Sequence, residues 1–142
     1  MIQINQNPFR ILGVPVTSTD RELERQYSNI VLYADMGKEI ECGLDSIFSK
    51  SLSRDSIVIQ EAKKSIELPH EKLFHATFWF WENSGNMIDD MAFEQIKSGN
   101  FEKAIQFWNK ETEKGITSKN KSNFKNLSIF LLGLAIQNGK LD

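Results

Sequence analysis

This chain of 142 residues has little of what strong chemistry needs. Cys42 is its only cysteine, so neither an intrachain disulfide nor a thiolate metal cluster can form, and a reducing compartment is the natural setting. The only histidines, His70 and His75, are five apart, about 140° around a helix. They cannot share a face as an i, i+4 zinc pair does, so no metal site is expected. Lysine and arginine number 17 against 19 aspartates and glutamates, a net charge of −2, which gives no bulk attraction to nucleic acid or to an anionic membrane. No 18 apolar residues follow one another, and the opening MIQINQNPFR has neither a basic leader nor an apolar run. A cytoplasmic location is therefore expected. Phosphate loop, nucleophile elbow and dinucleotide fingerprint are all missing, so no catalytic residue, no cofactor and no enzyme activity are read.

Alternating apolar and polar residues never run long enough for a strand, and the apolar spacing is helical almost throughout. The fold class is all-α, with about six to eight helices. Asn7-Pro8 opens a short helix closed by Gly13. Thr19 followed by Glu22 has the form of a capping box. Behind it, Leu23, Tyr27, Ile30 and Ala34 make one helical face, with Gly37 as the stop. Residues 38–52 read as a loop with at most a short helix, and Ile57 to Ile66 as the next helical face, stopped before Pro69.

Pro69 to Trp81, PHEKLFHATFWFW, is apolar nearly all round and carries four consecutive large aromatics. It reads as a central core helix ending near Ser84-Gly85-Asn86. Beyond it, Met87 to Ser98 and Phe101 to Lys114 form a helical hairpin broken at Gly99-Asn100. Phe124 to Gln137 is a last apolar helix. The chain stops at a turn signal, Asn138-Gly139, which reads as a boundary inside a longer protein.

Pro8-Phe9-Arg10-Ile11-Leu12-Gly13-Val14, then Arg21-Glu22-Leu23, Tyr27 and Ile30, and later Ile66 to Leu73, resemble the J domain of the DnaJ family over the first 80 or so residues. That resemblance implies a small helical co-chaperone module and a DnaK-type chaperone as partner. It also implies a His-Pro-Asp triplet after the second helix, and the matching spacing lands on Asp35-Met36-Gly37. The triplet is absent. The family's second helix is basic, whereas this one mixes Arg21, Glu22, Glu24 and Arg25 with Ser28 and Asn29, which implies weak electrostatic steering. Ala92, Gly99-Asn100-Phe101, Ala104 and Trp108 are similar to the small, turn and aromatic positions of a tetratricopeptide repeat. The next glycine turn, Gly139, comes 40 residues after Gly99 instead of about 34.

Two segments follow: a degenerate J-like module over 1–84 and a repeat-like helical segment over 85–142. The expected function is that of a non-enzymatic adaptor with a protein partner, and neither nucleic acid nor membrane as ligand. Its partner face would be Arg21, Glu24, Arg25, Ser28 and Asn29, or a groove near Glu94, Lys97 and Lys103. The alternatives are a co-chaperone that works without the triplet and the N-terminal regulatory part of a larger enzyme. Bland roles are read for the remaining candidates: inert Cys42, Asp89-Asp90 as an acidic first turn, and Lys119, Lys121 and Lys125 as a solvated loop.

Overall fold

The structure, a computed structural model, describes residues 4–47 and 52–139, and among these it is all-helical, with seven α-helices and two single 3-10 turns. Phe48, in the 38–52 segment, and the closing Lys140, Leu141 and Asp142 lie outside the described residues. The described residues fall into two compact units, one of residues 4–45 and 52–79 and the other of residues 46–47 and 80–139.

In the first unit, α1 (Pro8–Leu12) is short, and all five of its residues are buried. It packs against α2 (Asp20–Asp35), α3 (Ser56–Lys64) and α4 (Pro69–Thr77). Asn7 holds both ends of this arrangement. Its Oδ1 accepts from the Phe9 amide at 3.0 Å, capping α1, while its Nδ2 donates to the His75 carbonyl at 2.9 Å, an acceptor in the last turn of α4. Gly13 closes α1 at φ 65°, and a methyl group there would overlap Sγ of Cys42. Glycine is required twice over, by backbone and by space. Phe9, Leu12, Leu23, Ile30, Ile59, Ile66 and Trp79 supply the core.

The Pro69–Trp81 segment departs from the expected central helix. α4 ends at Thr77, none of its residues is fully buried, and Leu73 and Phe74 are 69% and 55% exposed. Only Trp79 and Phe80 are buried, and both lie past the helix end. Aromatic density marks buried residues there, but the chain reaches them by leaving the helix.

In the second unit, α5 (Met87–Lys97) and α6 (Phe101–Thr112) form the hairpin, and α7 (Lys121–Gln137) packs on both. Ala92 and Ala104 are fully buried, and their small side chains permit close approach of the helix backbones. Phe80, Phe93, Trp108, Phe130 and Phe101 form a chain of ring contacts with centroids 5.5–5.9 Å apart, mostly edge to face. Asp89 and Asp90 stand in the first turn of α5, as the sequence predicts, and Asp89 is turned inward to 1% exposure. Its carboxylate accepts from the Trp108 indole at 2.8 Å, from Asn123 Nδ2 at 2.9 Å and from the Ser84 hydroxyl at 2.8 Å. Asn126 brackets Trp81 by accepting from its amide and donating to its carbonyl. Asn120 ties the α6–α7 loop to the Glu111 and Gly115 carbonyls.

Replacing Asp89 by alanine strands three donors. Urea unfolding followed by tryptophan fluorescence should show a loss of about 3 kcal/mol, with Asp89→Asn losing less because it keeps one acceptor oxygen.

Candidate interaction surface

α2 carries the residues read as a partner face, and its charges are sorted by their neighbours. Thr19 caps it in a full capping box, with Glu22 Oε2 accepting from the Thr19 amide at 2.8 Å. The Thr19 amide, then its hydroxyl, and to a smaller degree the charge of Arg25, hold the Glu22 carboxyl below the usual range. Glu24 turns toward α3 and pairs with Lys63 at 2.7 Å, a bond that raises the lysine's pKa and sets its ammonium over the Tyr27 ring. Asp20 lies 3.4 Å from Lys72 on α4, and Asp35 accepts from the Ser56 hydroxyl at 2.8 Å. Asp20 and Glu24 thus meet lysines of other helices, while Glu22 and Asp35 accept from the neutral Thr19 and Ser56, which cancel no charge, and all four are exposed. Arg21 and Arg25 are exposed, and neither joins an ion pair or donates a hydrogen bond among the described residues. Ser28 turns its hydroxyl back to the Glu24 carbonyl, and Asn29 is exposed.

The same outward face continues further than the sequence reading took it. Leu32 and Met36 are 58% and 57% exposed and follow Arg21, Arg25 and Asn29 at one-turn and two-turn spacings. Asp35 is the last helical residue, Met36 the C-cap, and Gly37 turns the chain at φ 66°. The loop at the triplet position therefore ends an exposed stripe. Its i, i+4 spacing was available in the sequence; the exposure of two large apolar side chains was not.

Behind α2, the segment after Gly37 is pinned by Arg54. Its guanidinium donates from Nε to the Ile11 carbonyl at 2.8 Å, from Nη1 to the Ile40 carbonyl at 2.9 Å and Asp45 Oδ2 at 2.7 Å, and from Nη2 to the Arg10 carbonyl at 2.9 Å and Asp45 Oδ1 at 2.7 Å. All five N–H groups are used. Arg10 adds a bond to the Asp45 carbonyl at 3.1 Å, and the Cys42 amide donates to Asp45 Oδ2 at 2.7 Å. Burial opposes the charge of Asp45, but the Arg54 bonds, the Cys42 amide and the charges of Arg54 and Arg10 outweigh it and hold the carboxyl below its ordinary pKa. A hollow of about 440 Å³ adjoins this cluster, lined among others by Arg10, Lys38, Asp45, Leu52 and Arg54. The cluster binds the loop, since Arg54 has no donor left for a ligand.

The other candidate residues lie on α4 to α7 and in the loops between them. Lys97 pairs with Glu94 at 3.6 Å along α5, and Lys103 is exposed on α6. The Lys121 and Lys125 ammoniums each lie 5.9 Å from the centroid of the Trp81 ring, and burial pushes Lys125 down. Burial raises Glu82, offset in part by the charge of Lys97. His75 is half-buried and its ring meets Phe74 edge-on, while His70 is exposed. Among the described residues no three of His, Cys, Asp and Glu gather as a metal site, and no helix is long and apolar enough to cross a membrane.

Compared with protein-family models, curated proteins and solved structures, the chain matches none. What the fold itself defines is an all-helical protein with one long helix face left open to solvent.

Arg54→Met should cost the first unit about 3 kcal/mol by leaving the Asp45 carboxylate without its main partner, and Asp45→Leu in the same chain should recover part of the loss in urea melts. The acid limb has a definite sign. A carboxyl held low in the folded state contributes stability above its unfolded pKa and loses it as pH falls from there through the lowered folded value. Titration of the unfolding midpoint below the ordinary carboxyl range should show this loss, and Asp45→Asn should flatten it.

Proposed function

We propose that this chain is a non-enzymatic protein–protein interaction module, an adaptor that docks its partner on the outward face of α2. The observation that carries the reading is the unbroken exposed stripe Arg21, Arg25, Asn29, Leu32 and Met36, two of whose members are large apolar side chains in water. Burying such side chains fully stabilises by about 1.5–3 kcal/mol each, so a partner that covers them gains binding energy at no cost to the fold. The J-like opening at Pro8–Val14 supports a helical scaffold for this face. The Asp35-Met36-Gly37 loop in place of the His-Pro-Asp triplet argues against stimulation of a DnaK-type chaperone by the family's route.

Affinity purification of the tagged chain from its host lysate, with and without ATP, tests the reading. The expected result is a partner recovered independently of ATP, lost in a Leu32→Glu, Met36→Glu variant whose circular dichroism melt is unchanged. ATP-sensitive recovery of a DnaK-type chaperone would favour the co-chaperone alternative, and a partner unaffected by the variant would rule the α2 face out.

A further inference from the structure

The last helix has two unlike faces. Asn123, Leu127, Phe130 and Gly133 are buried on the side of α7 that packs on α5 and α6. On the opposite side Phe124, Ser128, Leu131 and Ala135 recur at i, i+4, i+7 and i+11, a straight stripe about 17 Å long. Ser128 is exposed, Leu131 is 45% exposed, and Phe124 and Ala135 are half-buried. The side of a surface helix that looks away from its own core ordinarily carries charge. In α7 the only charged residues are Lys121 and Lys125, both near its N-terminal end, and the turns from Asn126 to Gln137 carry none. The two lysines also stand at the wrong end for the helix dipole, since no acidic residue lies in the first turn and no basic residue in the last. The outer stripe therefore presents large and small side chains in alternation, without charge, between two dipole ends that the helix does not compensate itself.

We propose that the occupant of this face is a second copy of the chain, with the two α7 helices packed antiparallel about a two-fold axis at the level of Ile129 and Phe130. Residues at equal distances on either side of the axis then face each other. Phe124 of one copy meets Ala135 of the other and Leu131 meets Ser128, so each large side chain of the stripe faces a small one, and the two-fold repeats both contacts. Lys121 of each copy comes to the C-terminal end of the other helix, near Asn138, where a cation is favourable and where α7 has no basic residue of its own. Parallel pairing would set Lys121 against Lys121 and Ser128 against Ser128, repelling at one end and leaving a gap in the middle. The contact is one helix against one helix, at the small end of specific interfaces, so dissociation falls in the micromolar range. The proposal concerns the second unit alone and does not depend on the reading of α2.

The test is sedimentation equilibrium of the full chain from about 1 μM to about 0.2 mM. The expected result is a rise with concentration from the 16.3 kDa of one chain to twice that mass. Leu131→Glu, which puts two unpaired carboxylates into the contact, should weaken the dimer about a hundredfold or more while the circular dichroism melt of the dilute chain is unchanged. Mixing Ser128→Glu chains with Leu131→Lys chains, each weakened alone, should restore the dimer, because the antiparallel register brings those two positions together with opposite charge. The Leu32→Glu, Met36→Glu variant of α2 should remain dimeric. A parent chain that stays monomeric at the highest concentration would overturn the proposal, and so would a dimer indifferent to Leu131→Glu or one lost in the α2 variant. Mixed chains that fail to pair would overturn the antiparallel arrangement.

Discussion

A guanidinium taken out of water must have its N–H groups met, and the first unit is arranged so that Arg54 meets all five of its own. Three go to backbone carbonyls of Arg10, Ile11 and Ile40, and two go to the Asp45 carboxylate, so one side chain joins the end of α1, the segment after α2 and the start of α3. Each of these carbonyls lies where regular hydrogen bonding stops. The charge of Arg54 therefore does the work that secondary structure would do elsewhere, and Asp45, also held by the Cys42 amide, keeps that charge neutralised.

The second unit solves the same problem with the opposite sign and no cation. Asp89 is buried among aromatic rings, and its oxygens are met by neutral donors from Ser84, Trp108 and Asn123. Asn86 joins this node to the loop before α7 through the Lys119 carbonyl. Rings give this unit its buried area, and amide side chains give it register, because asparagine both donates and accepts and can bridge two segments that apolar packing alone would let slide.

These internal commitments shape the outer surface. α2 spends its acidic side chains on capping and on ties to α3 and α4, and two large apolar residues stand on its solvent side. The exposed Glu22 carboxylate stays within reach of Arg25, so the face remains near neutral and is distinguished by the two exposed apolar residues at its end. That apolar end gives the adaptor reading its physical content.

The sequence alone determined the helical class, most helix boundaries and several caps. The Thr19–Glu22 box, Pro8 at the first turn of α1 and the Gly99-Asn100 break act through backbone groups within a few residues, so local chemistry suffices to read them. Only tertiary structure decided how the Pro69–Trp81 segment is used, because composition reports that aromatic side chains want burial and says nothing of whether the chain stays helical to reach it. Tertiary structure also decided the Arg54–Asp45 pin, the burial of Asp89 and the ties of α2 to Lys63 and Lys72. Apart from Ser84, five residues from Asp89, these partners lie 9 to 52 residues away in the chain, and the energy of a charge is set by distance and water exclusion in space, which no local pattern records.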